Sequence, residues 1–294
     1  MKDKKLEISS IISLLACPDD GGELAISEDF LECSSCKRSF VMDGNFIELL
    51  PSHRKKIEPT GSVESTYQEM YEHLIRDGSL GKNRPPFGIA SKSVPPGLVN
   101  DIASELATHV DSKMIVCDVG AGSGDYSLSL AKHCRVLFHC DMDTRGISLA
   151  RKKANDEGLM NIFFLRCDYF RLPFRHAILD LVYCIDVIER GPLHDKTLME
   201  EMKRVLRNTG YLIFDCHNSE RSKLTHVNFA NAAYSKKEII QLATQFSLTV
   251  HTIKGVGYIP QIRLWSKNEY VIANFFARIV SFPPARFLLV CRSF

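Results

Sequence analysis

The chain has 294 residues, 45% of them hydrophobic and 24% charged, with a formal charge of +2 at pH 7. That length accommodates one large domain plus a small module, with a sizeable core. The composition excludes wholesale disorder, the near-neutral charge lacks the basic excess of dedicated nucleic-acid binders, and no apolar run is long enough to span a bilayer.

Residues 1–51 carry paired cysteines. Cys33-Ser34-Ser35-Cys36 reads as a metal knuckle, and Cys17-Pro18-Asp19-Asp20 as a second one whose other ligand is a carboxylate. Ligands two residues apart let one tight turn present both to a four-coordinate zinc, so Cys17, Asp20, Cys33 and Cys36 form the candidate set for a structural site. Lysines followed by the apolar residues 11–15 and Ala16-Cys17 imitate a lipoprotein signal, but Ser9, Ser10 and Ser13 break the run, which reads as a short helix or strand. The remaining cysteines sit singly inside apolar runs, as buried thiols of a reducing compartment do, and the expected location is cytoplasmic.

Residues 52–96 read as a polar linker, an amphipathic helix on Tyr67, Met70, Tyr71, Leu74 and Ile75, and a Gly/Pro/Ser-rich stretch that is either a plain connection or a lid. From residue 97 to 294 the pattern alternates. Apolar runs near 114–119, 136–140, 162–167, 180–185 and 211–216 read as buried parallel strands. Helical patterns surround them, one starting near Leu98, one over residues 198–206 that stops before Gly210, and one opened by the capping box Ser235-Lys236-Lys237-Glu238. The expectation is a doubly wound α/β fold behind a small N-terminal module.

The first strand ends in Asp118-Val119-Gly120-Ala121-Gly122-Ser123-Gly124-Asp125. Glycine permits sharp turns and close approach of a ligand to backbone, and a strand feeding a helix through such a loop builds a nucleotide site. The glycines alternate, unlike the spacing of dinucleotide folds, and Asp118 and Asp125 would repel a pyrophosphate. They suit a ligand with ammonium and sulfonium groups, such as S-adenosylmethionine. Acidic residues then recur at strand ends in order. Asp141-Met142 is placed to reach ribose hydroxyls, Cys167-Asp168-Tyr169 to meet the adenine, and Asp186 to lie beneath the reactive end of the donor.

On these residues, with Leu172-Pro173-Phe174, Asp186-Val187-Ile188-Glu189 and Val205-Leu206-Arg207-Asn208-Thr209-Gly210, the chain from about residue 97 resembles the class I S-adenosylmethionine-dependent methyltransferases. The resemblance implies a Rossmann-like sheet of seven strands, mostly parallel, with residues 248–253 and 286–291 forming the last two. Arg190 stands where many relatives carry His, and Thr209 where many carry Pro. Residues 1–51, ending in Asp43-Gly44-Asn45-Phe46-Ile47 and Leu49-Leu50-Pro51, are similar to the small zinc-ribbon-like activators of tRNA and protein methyltransferases. A similar ribbon precedes some ribosomal-RNA guanine methyltransferases; here Asp20 replaces one cysteine.

The acceptor is less legible. His217 follows the fifth strand in Asp215-Cys216-His217-Asn218, and reads either as a general base or as a polar loop residue. His226 and Asn228 lie in the next acceptor-side segment. The aromatic stretch over 255–284 suits a hydrophobic small-molecule acceptor or a helix packed on the sheet. The alternative partner is ribosomal or transfer RNA, gripped by the N-terminal module with Lys2, Lys4, Lys5, Arg54, Lys55 and Lys56.

Overall fold

The computed structural model describes residues 8–53, 96–188, 192–225, 233–257, 275, 277 and 282–294. The expected linker helix and lid, Arg190, Glu189, His226, Asn228, the N-terminal lysines, the basic run 54–56 and most of the aromatic stretch lie outside them.

The strands are β1 (Leu24–Ser27), β2 (Phe30–Cys33), β3 (Ser39–Asp43), β4 (Phe46–Leu49), β5 (Ile115–Val119), β6 (Val136–Asp141), β7 (Ile162–Cys167), β8 (Leu179–Cys184), β9 (Leu206–His217), β10 (Leu248–Val256) and β11 (Arg286–Ser293). The helices are α1 (Pro96–Ala107), α2 (Asp125–Ala131), α3 (Thr144–Asp156), α4 (Pro192–Val205), α5 (Ser219–Thr225) and α6 (Lys236–Gln245).

All strands join one sheet in the order β1-β2-β3-β4-β7-β6-β5-β8-β9-β11-β10. β4 through β9 run parallel across that order, while β10 and β11 pair antiparallel beside β9. Helices cover both faces, as a parallel sheet requires. Leu98, Ile102 and Leu106 of α1, Leu128 of α2 and Ile147 and Ala150 of α3 pack on one face. Leu198, Met199, Met202 and Val205 of α4 and Ile239 and Leu242 of α6 pack on the other, together with the N-terminal module. The capping box forms as its spacing predicts: Ser235 accepts from the Glu238 N–H, and Glu238 reaches back to the Ser235 backbone.

The expected seven-stranded sheet is corrected to eleven. β4 adds to the β7 edge in parallel register, Phe46 opposite Phe164 and Leu49 opposite Cys167, so the N-terminal strands continue the sheet. Side chains lock this junction. Buried Asn45 donates from Nδ2 to the Ile162 carbonyl at 3.1 Å and receives Arg151 Nε at 3.2 Å. Arg151 also donates to the Asp43 carboxylate at 2.6 Å and to its carbonyl at 2.7 Å. The buried Asn45 amide thus has a partner for both its nitrogen and its oxygen, which offsets the cost of taking it out of water.

Candidate methyl-donor site

The site occupies the carboxyl edge of the parallel strands, where open α/β sheets bind ligands. β5 delivers the chain into residues 120–124, and α2 begins at Asp125. Gly120, Gly122 and Gly124 all have positive φ, at 74°, 53° and 84°. A Cβ on Gly120 would lie 2.5 Å from Val187 Cγ2, so the loop closes on the segment after β8 only because this residue has no side chain. The Gly120 and Ala121 amides donate to the Cys140 carbonyl at 2.9 and 3.1 Å, which ties the loop to β6.

Asp141 ends β6, and both its oxygens already hold backbone: Oδ2 accepts from the Gly122 N–H at 2.7 Å and Oδ1 from the Asp143 N–H at 2.8 Å. Each carboxylate oxygen keeps a second lone pair, so the group can brace the loop and still receive ribose hydroxyls. Its pKa is raised, chiefly by burial. The neighbouring Met142 is half-buried, and its carbonyl accepts from Arg166 Nε at 3.2 Å. Cys167 is buried at the end of β7. Asp168, also buried, turns the chain by accepting from the Phe170 N–H at 3.0 Å, and half-buried Tyr169 follows it.

Asp118 sits deeper than its neighbours. It is buried beneath the loop, with Oδ2 accepting from Ser127 Oγ of α2 at 2.5 Å, and Ser127 Oγ lies 2.9 Å from His139 Nδ1. Burial pushes the Asp118 pKa up to about 7 and drives His139 down to about 3. Asp125 opens α2 with Lys153 at 3.5 Å, and burial raises it to about 6.

Asp186, exposed beyond β8, holds a left-handed φ of 65°. Its amide donates to Asp215 Oδ1 at 2.7 Å, and its Oδ1 accepts from Arg286 NH1 at 2.7 Å. Arg286 Nε lies 2.6 Å from the fully buried Asp215 Oδ2, and NH1 is 3.3 Å from His217 Nε2. Burial first and the guanidinium second lower His217 to about 3, so the imidazole stays neutral and is a weak base where it stands. Arg286 escaped the sequence reading. Its signal was a cation directly before the apolar run 287–291, placed opposite His217 by the β9–β11 register.

Cys17, Asp20, Cys33 and Cys36 converge, with their ligand atoms all within 4.8 Å of one another. Cys17 Sγ and Cys36 Sγ are 3.7 Å apart, and Cys33 Sγ is 3.4 Å from Asp20 Oδ1. A tetrahedral zinc with ordinary bond lengths has S–S edges of roughly 3.8 Å and S–O edges of roughly 3.5 Å, so the set fits the ion. The Gly22 N–H, donating at 2.8 Å, is the first of the bonds that hold Asp20 below the usual carboxylate range, which keeps it ionised as a ligand.

A family model described as "Methyltransferase domain" matches residues 110–275. The chain belongs to this methyltransferase family and is an S-adenosylmethionine-dependent methyltransferase. Among solved structures it is similar to a geranyl diphosphate C-methyltransferase from Streptomyces coelicolor, at 14% identity and TM-score 0.55, covering 81% of this chain and 100% of that one. It is similar to a magnesium protoporphyrin IX methyltransferase from Synechocystis, at 14% identity and TM-score 0.55, covering 79% and 99%. An N-methyltransferase from Bradyrhizobium japonicum matches at 16% identity and TM-score 0.53, covering 78% and 98%. These likenesses establish the fold.

Proposed function

We propose that the chain moves a methyl group from S-adenosylmethionine to a small, largely apolar acceptor by in-line displacement. The observation that carries the donor half is the glycine loop pinned to Asp141, with Asp168 one strand further along the same edge. In this reading Gly120, Ala121, Gly122 and Gly124 admit the donor, Asp141 and Met142 hold the ribose end, and Cys167, Asp168 and Tyr169 frame the adenine. Asp186 lies toward the reactive end, and Asp118 supports the loop from below. S-adenosylmethionine supplies a methyl group already activated on a sulfonium. The protein's contribution is then alignment and exclusion of water.

Support for a small acceptor comes from the absence of a basic excess and from two structural neighbours that are a geranyl diphosphate and a magnesium protoporphyrin IX methyltransferase. The test is labelled S-adenosylmethionine incubated in parallel with a metabolite extract and with total RNA. Label in the organic-soluble fraction is expected; label confined to RNA overturns the acceptor reading in favour of the nucleic-acid one. In the same reading Cys17, Asp20, Cys33 and Cys36 hold a structural zinc, which steadies the N-terminal strands and takes no part in the transfer.

A further inference from the structure

Asp118 of β5, Ser127 of α2, His139 of β6 and Tyr183 of β8 are all buried beneath the donor loop. Three of them form a chain: Ser127 Oγ stands 2.5 Å from Asp118 Oδ2 and 2.9 Å from His139 Nδ1. Tyr183 lies opposite Asp118 in the β5–β8 register. The far end of the chain reaches the loop, because the Gly122 backbone bears on the His139 ring. The Gly122 amide also donates to Asp141 at 2.7 Å, so the ring and that carboxylate meet at one loop residue.

A hydroxyl has one hydrogen, so the chain has two polarities. With Asp118 protonated, its O–H donates to Ser127, Ser127 donates to Nδ1, and the ring hydrogen of His139 sits on Nε2. With Asp118 ionised, each bond reverses: Ser127 donates to Oδ2, and Nδ1–H donates to Ser127. Burial keeps the imidazole neutral in both states, so the carboxyl sets its tautomer and not its charge. Charge at the loop decides between the two. Burial first, with the like charges of Asp141 and Asp125, favours the protonated carboxyl, while Ser127 and Tyr183 favour the ionised one. Lys153 of α3 pairs with Asp125 at 3.5 Å. Since Asp118 feels the acids beside the loop, a cation seated in the loop acts on it by the same route, with opposite sign.

We propose that Asp118, Ser127 and His139 form a proton-linked sensor of the donor's charge, by which the loop distinguishes S-adenosylmethionine from S-adenosylhomocysteine. The proposal rests on the donor-site reading above. The donor carries a sulfonium charge that the product lacks. When the donor binds, the carboxyl hydrogen passes to Ser127, the Ser127 hydrogen to Nδ1, and the hydrogen on Nε2 leaves to solvent. Methyl transfer removes the sulfonium charge. The proton then returns by the same steps, and the site loosens its hold on the product.

The experiment is titration calorimetry with each ligand in buffers of different ionisation heat, which counts the protons released. With the donor at about pH 6, release on the order of one proton per site is expected, and affinity should rise about fivefold from pH 6 to 7. With the product, both changes should be at most about half as large. Asp118→Asn should abolish the release and narrow the preference for donor over product. In nitrogen-labelled protein the His139 tautomer should switch on donor binding, read by NMR, and Ser127→Ala should abolish the switch. That second readout decides the matter if Asp118→Asn does not fold. Equal release with both ligands, release retained in Asp118→Asn, or an unmoved His139 tautomer overturns the proposal. Full donor affinity in Gly120→Ala and Asp141→Ala instead overturns the donor-site reading, and this inference with it.

Discussion

Arg171 donates from Nε to the carbonyl of Pro18 at 2.9 Å, joining the turn after β7 to the loop between two of the metal-ligand candidates. Its NH2 also reaches the Asp19 carbonyl at 3.0 Å, while its own amide donates to the Asp168 carbonyl at 3.0 Å. The position of Cys17-Pro18-Asp19-Asp20 is thereby passed to Asp168 through one side chain. Freshly isolated, chelator-free protein is expected to contain zinc, and Cys33→Ser to lose it, by elemental analysis. Loss of the ion should also weaken S-adenosylmethionine binding, and Arg171→Ala in metal-loaded protein should weaken it by about fivefold, the scale of one or two hydrogen bonds. Equal affinity in metal-free, Arg171→Ala and wild-type protein, measured by calorimetry, would dissolve the link.

The donor loop gives a sharper expectation. Gly120→Ala places a Cβ 2.5 Å from Val187 in a residue at φ 74°, so the loop must shift or strain. Asp141→Ala strips the acceptor from two backbone amides and removes the carboxylate that the proposed reading assigns to the ribose. Each should cost about tenfold or more in S-adenosylmethionine affinity by calorimetry. Full affinity in both variants would remove the donor from this edge.

Asp118 and His139 make opposite contributions to stability as pH changes. The raised pKa of Asp118, about 7, means its contribution is fully present below the unfolded value of 3.8 and is lost as pH rises through 7. His139, lowered from 6.5 to about 3, contributes fully above 6.5 and loses that contribution as pH falls toward 3. Between about pH 4 and 6.5 the two slopes therefore oppose each other. Asp118→Asn removes one of them. The variant's stability by urea titration should rise with pH across that window more steeply than the wild type's. Parallel curves would mean that the carboxyl is not protonated in the folded protein.

Which parts were legible follows from how local each signal is. The loop at 120–124, the strand-end acids and the capping box at Ser235 depend on neighbours a few positions away, and all are where their spacing puts them. β4 is four residues long, and its place is set by pairing with β7, which no local pattern encodes. The same limit hid the bonds around His194 and Asp195. Tyr169 lies 25 positions before His194 and Tyr234 39 positions after Asp195, and only the fold brings them together. His217 drew attention within the polar stretch Asp215-Cys216-His217-Asn218 expected after the fifth strand. Its pairing with Arg286, 69 positions away, is what makes it a poor base.

Arg286 neutralises Asp215 in the interior and caps Asp186 at the surface. Arg286→Leu leaves the Asp215 carboxylate buried without its cation, a change that costs about 3–5 kcal/mol in comparable cases. The expected readout is a lower thermal midpoint, together with an upward move of the His217 titration followed by NMR, since one of the two causes of its depression is gone. An unchanged His217 titration would show that burial alone governs it.

Parallel attachment of β4 also has a kinetic consequence. Asn45 and its acceptor at Ile162 are 117 positions apart, so ribosomal synthesis completes the N-terminal segment long before its partner strand exists. Closing so large a loop is slow, and until then the hydrophobic side of β4 has no seat. The first fifty residues must wait, held by whatever knots them together on their own, and a zinc clasp is well suited to that interval.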